Sequence, residues 1–350
     1  MSSDPRDVFS PLPDAPGRTG PQRDVTPLRL GAPPPPHRVI RPAPSVIYHR
    51  QGEQVHFDTR QLQIHAEHLA GAGARTVRER LARPGATDAT TKSSETDYVT
   101  DCDPASEAAM RQEAAEIWGE APHSFTGEES GVARARPGEL RLIADGVDGT
   151  ANLHAGAPEY GVSIAIEVDG VVLAGAVAEP VSGRVYSAGR GNGARFYDPA
   201  VRHQWVTLDA RKDKPLSQRL LATGFSYQAA ERGPQAAVVA RMIEHVEDIR
   251  RVGSAVIDLC RVAQGVFGGY FEHYLNEWDW AAGLLICEEA GAVVSWPGTG
   301  GPAAHLGDPI FAAAPEVADE LLVLMEKAGA AALDRRVPAP EREWVSGHAH

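Results

Sequence analysis

The stretch Leu140-Arg-Leu-Ile-Ala-Asp145-Gly-Val-Asp148-Gly149-Thr150 runs an apolar strand into two carboxylates three residues apart. At ~4 Å and an effective dielectric of ~20, two such charges repel by ~4 kcal/mol, so the pair calls for a cation or holds a proton. All-oxygen donors are the chemistry of Mg²⁺ rather than Zn²⁺. Gly149 and Thr150 then offer backbone N–H groups, a natural seat for a phosphate oxygen. The same residues also satisfy a plainer description, an Asp-rich turn closed by Asx hydrogen bonds. Upstream, Gly127-Glu128-Glu129-Ser130 places two carboxylates after a short strand, and in isolation they read as a solvated loop. Downstream, Glu277-Trp278-Asp279-Trp280-Ala281-Ala282-Gly283 opens an apolar helix, and Asp279 reads locally as its N-cap. A capping carboxylate can still spare an oxygen for a metal. Asp103, in Thr100-Asp-Cys-Asp103-Pro, reads likewise as a cap.

The elements that position these residues follow from periodicity and punctuation. A surface helix is expected over 60–82, stopped by Pro84-Gly85, and another from Pro104 to Trp118 with Asp103 as cap. From Tyr160 to Tyr197 the chain reads as short strands, with Asp169-Gly170 and Asn192-Gly193 as hairpin turns. The second half alternates: strand Leu220–Thr223, helix Pro234–Val246, a strand end at Arg250–Gly253 and helix Ser254–Gln264. Strand Gly268–Glu272, helix Asp279–Ala290, strands Val293–Trp296 and Ile310–Ala313, and helix Pro315–Ala332 complete it. The fold class implied is α/β (α+β): an antiparallel sheet in the first half, a mixed sheet in the second, and helix layers packed on both.

The ordered combination of motifs resembles the inositol monophosphatase family of Mg²⁺-dependent, lithium-sensitive phosphatases. That family carries GEE, DPxDGT and WDxAAG segments in this order, matched here at Gly127–Glu129, Asp145–Thr150 and Trp278–Gly283. The resemblance extends to the stretch Lys92–Asp103 and to Gly253-Ser254-Ala255, covering roughly residues 60–330. It implies a layered αβαβα sandwich. It also implies that Glu128, Asp145, Asp148 and Asp279, with the carbonyl of Val147, bind two or three Mg²⁺. Asp103 and Thr150 would take a proton from the attacking water, with Glu129 acting from behind the ligands. Gly149, Thr150, Gly253, Ser254 and Ala255 would hold phosphate and neighbouring substrate atoms, and Lys92 lies in what is the family's mobile loop. The chain departs from the pattern at Ala144 and at Gly146, where the family usually has proline; glycine loosens a turn that proline would preset.

Relatives by this resemblance act on inositol phosphates, fructose 1,6-bisphosphate, histidinol phosphate or adenosine 3′,5′-bisphosphate. Glu272, seven residues before Asp279, resembles the position that hydrogen-bonds sugar hydroxyls. A carboxylate there suits a polyol and repels a second phosphate, so the expected substrate is inositol monophosphate or a related cyclitol or sugar monophosphate. The plainer alternative is a strand-end Glu272 in solvent. An alternative class is a non-catalytic partner-binding protein on the same scaffold, but the full acidic set favours catalysis. The histidines form no metal-ligand spacing. Trp278 and Trp280 read as core, and Cys260 and Cys287 as small buried hydrophobes.

Composition bounds the rest. The 350 residues carry a formal net charge of −13, which disfavours nucleic-acid and membrane surfaces as general partners. Three cysteines without CxxC spacing suit a reducing cytoplasm. No apolar run reaches the ~20 residues of a membrane span. Residues 1–45 form a proline-rich tail expected to be disordered, and 334–350 a second loose end. Between them, 46–205 and 206–333 read as an α+β half carrying most ligands and an α/β half. The family resemblance also implies a homodimer.

Overall fold

A computed structural model describes residues 46–330, apart from 51–52, 84, 86, 120, 122 and 298–308. Both expected tails lie outside the described residues, as do Pro84 and the last two residues of the helix expected to end at Ala332. The chain enters through an antiparallel hairpin, β1 (Val46–Arg50) and β2 (Glu53–Phe57). Asp58 then caps α1 (Thr59–Leu81), its Oδ1 accepting from the N–H groups of Arg60 and Gln61 at 3.0 and 3.2 Å. A small hairpin, β3 (Ala89–Thr91) and β4 (Tyr98–Thr100), leads into α2 (Cys102–Trp118). Next come β5 (His123–Gly127), β6 (Leu140–Asp148), α3 (Thr150–Ala155), β7 (Gly161–Val168), β8 (Val171–Ala178), β9 (Val185–Gly189), β10 (Gly193–Asp198) and β11 (Arg202–Thr207). The second part holds β12 (Leu220–Thr223), α4 (Ala229–Met242), β13 (Asp248–Arg250), α5 (Ala255–Ala263) and β14 (Gly269–Glu272). It closes with α6 (Glu277–Glu289), β15 (Val293–Ser295), β16 (Ile310–Ala313) and α7 (Ala318–Lys327).

Strands β5 to β11 make a seven-stranded sheet in sequential order, antiparallel except for the parallel β5–β6 pair at one edge. The other sheet has the order β13-β12-β14-β16-β15 and is mixed. Strand alternation sends successive side chains to opposite faces, and that alternation builds the layers. On β6 and β7, Leu142, Ala144, Ile164 and Ile166 pack with α1 and α2, while Ile143 and Ala165 face α5 and α6. In the second sheet Ala222, Tyr270 and Ala312 face those same two helices, whereas Leu221, Phe271 and Phe311 face α4 and α7. The result is the αβαβα sandwich, with α5 and α6 between the sheets. Each large side chain so buried is worth about 1.5–3 kcal/mol. Cys102, Cys260 and Cys287 are all free and buried.

Several expected boundaries move, for local reasons. Asp103 is not the cap of α2, which starts at Cys102. Its carboxylate instead receives the N–H and hydroxyl of Thr100 at 3.0 and 2.6 Å, while Thr100 Oγ1 accepts from Cys102 N–H at 3.2 Å. Asp279 is the third residue of its helix and accepts the N–H of Asn276, the cap residue, at 2.7 Å, one half of a capping box. Pro234 does not open α4; the helix starts at Ala229, behind Ser226, whose hydroxyl accepts from Gln228 N–H and donates to Glu231. The final helix starts at Ala318 rather than Pro315 and ends at Lys327. The strand expected at Arg250–Gly253 ends at Arg250.

Candidate active site

The end of β6 explains how Asp145 and Asp148 converge. Residues three apart on a regular strand face opposite sides. Here the register against β7 shifts between Asp145, paired with Ser163, and Asp148, paired with Gly161, so one extra residue is inserted. That bulge turns both carboxylates to one side. Gly149 follows with φ +97°, a backbone that favours glycine, and a Cβ there would also lie 3.0 Å from the carbonyl oxygen of Gly253. Asp279 arrives from the first turn of α6. Ligand atoms of Asp145, Asp148 and Asp279 all lie within 4.8 Å of one another.

The three carboxylates are held unequally. Asp148 Oδ2 accepts from Ser254 Oγ at 2.6 Å and from Val256 N–H at 2.8 Å, at the start of α5. Asp145 Oδ1 accepts from Val147 N–H at 2.8 Å, but its Oδ2 is buried with no hydrogen-bond partner. Burial pushes all three upward, Asp148 to about 6 against the pull of Ser254, and Asp145 and Asp279 well above the usual carboxylate range; Glu128 is the next cause for those two. Glu128, just past β5, is raised to about 7 by burial, with Lys92 opposing. Lys92 Nζ lies 2.7 Å from Glu128 Oε1 and 2.5 Å from Glu129 Oε1, so this ammonium neutralises part of the cluster. Burial lowers the Lys92 pKa, but the two glutamates outweigh it and the net shift is upward.

Raised carboxylate pKa values fix a sign. Between the unfolded values near ~4 and the folded values, the native state binds more protons, so stability falls as pH rises through that window. The protein in EDTA is therefore expected to melt lower at pH 8 than at pH 5.5, by on the order of 1.4 kcal/mol per group per pH unit within each group's window. Millimolar Mg²⁺ should flatten the slope. Calorimetric melting at both pH values checks it, and a flat or rising Tm in EDTA contradicts it.

Asp103 and Thr150 meet as expected: Thr150 Oγ1 lies 2.7 Å from Asp103 Oδ1 and 2.9 Å from the carbonyl oxygen of Val147. Both residues are buried. Gly146, between Asp145 and Val147, has a more specific role than loosening a turn. A Cβ there would sit 2.3 Å from the backbone oxygen of Asp103, so no side chain fits while α2 keeps its place.

Beside them lies a cavity of about 360 Å³. The metal-type carboxylates Glu128, Asp145, Asp148 and Asp279 line it, as do Val147, Gly149 and Thr150. Gly253, Ser254, Ala255 and Glu272 line it too; the Ser254 hydroxyl is committed to Asp148. Glu272 is buried rather than solvated, accepts from Tyr270 Oη at 2.6 Å, and is pushed to about 7 by burial, with Tyr270 opposing. Asp103, Glu129 and Lys92 stand outside the lining, behind it.

One contributor escaped the sequence reading. Glu107, on α2, is 1% exposed and accepts from the N–H groups of Glu129 and Ser130 at 2.8 and 3.0 Å and from the Ser130 hydroxyl. It anchors the loop that carries Glu128. Removing one charged acceptor of such a set costs about 1.5–3 kcal/mol. Glu107→Gln is expected to raise the Mg²⁺ concentration for half-maximal activity or thermal stabilisation about tenfold; an unchanged Mg²⁺ titration would contradict the anchoring role. In the β3–β4 loop, part of the Lys92–Asp103 stretch singled out above, the hydroxyls of Ser94 and Thr96 donate to the carbonyl of Tyr227 at 3.3 and 3.1 Å.

The sequence model of the inositol monophosphatase family matches residues 58–329. The chain belongs to the inositol monophosphatase family. Among its relatives in the family, an inositol-1-monophosphatase of Mycobacterium leprae is 42% identical over 282 residues, 77% of this chain and 95% of that protein. A Nus factor SuhB of Pasteurella multocida is 37% identical over 234 residues, 67% of this chain and 84% of the other. The solved structure of Mycobacterium tuberculosis SuhB matches with a TM-score of 0.65 at 35% identity, covering 78% of this chain and 98% of that one. Among the described residues no helix is long and apolar enough to cross a membrane.

Proposed function

We propose that this inositol monophosphatase family member is a Mg²⁺-dependent phosphomonoesterase acting on inositol monophosphate or a related cyclitol or sugar monophosphate. The observation that carries the reading is the convergence of Asp145, Asp148 and Asp279 within 4.8 Å in a cavity that Glu272 also lines. The residues fit a hard divalent cation: every donor is oxygen, and Asp145 Oδ2 is buried without any other partner. Asp145, Asp148, Asp279 and Glu128, with the Val147 carbonyl, would hold Mg²⁺. When bound, Mg²⁺ supplies Lewis acidity, neutralising phosphate charge and making water a stronger acid.

The chain's own residues do the rest. The Thr150 hydroxyl, held between Asp103 and Val147, relays the proton of the attacking water to Asp103 Oδ1. Backbone at Gly149 and Gly253 borders the cavity where the phosphoryl group sits, and there positioning counts for most of the catalysis. Glu272 accepts ring hydroxyls and repels a second phosphate, which favours monophosphates over the bisphosphate substrates of related enzymes. The relative named inositol-1-monophosphatase supports this reading.

The test is a panel of phosphate esters with Mg²⁺, with and without Li⁺. Inositol 1-phosphate is expected to lead fructose 1,6-bisphosphate, histidinol phosphate and adenosine 3′,5′-bisphosphate in kcat/KM, with Li⁺ inhibiting. Preference for a bisphosphate overturns the substrate, and no turnover of any ester overturns the enzyme. The second reading, a partner-binding protein, has one specific support: a relative named Nus factor SuhB. Deleting residues 1–45 separates the two, since an enzyme keeps its turnover while a tail-dependent binder loses its partner.

A further inference from the structure

Asp258 has no role in the chemistry above, yet it borders the same cavity. It lies in the first turn of α5, inside the apolar run Ala255-Val-Ile-Asp258-Leu-Cys260, and is 1% exposed. Its Oδ1 is sealed from bulk solvent and has no hydrogen-bond partner. A buried carboxylate oxygen without a donor is costly, and native proteins rarely leave one unless something that binds there supplies the donor.

Its surroundings narrow what that donor is. Asp258 lines the cavity together with Glu272, Arg251 and Gly224. Glu272 fits its place because Gly224 lacks a side chain: a Cβ there would stand 1.9 Å from Glu272 Oε2. Burial raises Asp258 well above the carboxylate range, with Glu272 the largest charged contributor and then Asp148, while Arg251 opposes. This wall thus holds two carboxylates and one guanidinium. Glu272 already receives the Tyr270 phenol, whereas Asp258 Oδ1 receives nothing. A neutral ligand group with O–H donors matches such a wall; a second phosphate does not.

We propose that Asp258 is a specificity determinant, accepting a hydrogen bond from a substrate hydroxyl different from the one bound by Glu272, so that the two carboxylates read two hydroxyls of one polyol. This rests on the phosphomonoesterase reading and deepens it.

The experiment compares inositol 1-phosphate with 4-nitrophenyl phosphate, which has no ring hydroxyl, in wild type and Asp258→Leu, which removes both acceptor oxygens at similar volume, both with Mg²⁺. KM for inositol 1-phosphate is expected to rise about 10- to 100-fold, the span for leaving one buried hydroxyl donor without its acceptor. The kcat/KM for 4-nitrophenyl phosphate should stay within about threefold. Parallel losses on both esters mean that Asp258 only supports the fold, and no loss on either means that it reads nothing; each result overturns the proposal. If Asp258→Leu does not fold, singly deoxygenated inositol 1-phosphates assayed in wild type and Glu272→Gln decide. Two hydroxyls should matter in the wild type and one should still matter in the variant. Dependence on a single hydroxyl, abolished in Glu272→Gln, overturns the proposal. A wild type that hydrolyses neither ester refutes the phosphatase reading instead, so the two failures are distinguishable.

Discussion

Asp145→Asn is expected to lower kcat/KM for inositol 1-phosphate by about 10³-fold or more, the scale on which removal of one preorganised electrostatic contributor acts. The geometry makes the substitution clean. Asn keeps an oxygen to accept Val147 N–H, so the bulge at the end of β6 retains its internal bond. What is lost is the charge and the unpartnered Oδ2. The same variant should behave in the opposite way without metal. Glu128, Asp148 and Asp279 all act on Asp145 to raise its pKa, so deleting its charge relieves repulsion. In EDTA the variant should melt above the wild type, and Mg²⁺ should stabilise it far less. Activity near the wild-type level would refute the assignment of Asp145 as a metal ligand.

The second large effect belongs to the proton relay. Thr150→Val keeps the shape but leaves Asp103 Oδ1 and the Val147 carbonyl without the hydroxyl that joins them. Loss of a positioned proton acceptor typically costs 10²- to 10⁴-fold, so kcat should fall by about that factor with KM little changed. Asp103→Asn should cost a similar factor, and the double variant little more, because two members of one relay fail together. Losses that multiply in the double variant would show that the two residues act independently.

How much of this was legible beforehand depended on whether the signal was local. The carboxylates after β5 and β6, and Asp279 at the head of α6, stand in contiguous motifs. The spacing of Asp145 and Asp148 pointed to an oxygen-rich site, whereas Glu128 and Asp279 joined it only through the family resemblance of the ordered motifs. The layers were legible too, because alternation on β6, β7, β12 and β14 and the apolar faces of α5 and α6 are written in consecutive residues. The helix starts were less so. Asp103 and Asp279 look like caps, but Asp101 and Asn276 hold those positions, and the two carboxylates reach back to Thr100 and Asn276 from inside the helices. Pro234 looked like a first-turn residue, while Ser226 and Glu231 start α4 earlier through side-chain bonds.

What stayed hidden needed tertiary partners. Glu107 sits among alanines and charges on α2 and looks like any surface glutamate until the backbone of Glu129 and Ser130 is laid against it. Asp258 did leave a trace, a lone carboxylate within an apolar helix, though only its place on the cavity wall gives that meaning. The parallel β5–β6 pairing joins residues some seventeen apart across an irregular loop, and no periodicity within either strand encodes it.

Gly146 carries a last consequence. Its backbone and the carbonyl of Asp103 interlock so closely that this turn and the head of α2 form a matched pair. Transplanting the proline usual in the family would wedge the two apart and tilt the aspartate away from its threonine. A homologous swap at this position would therefore succeed only as a cassette, with the stretch from Thr100 to Glu107 exchanged along with it.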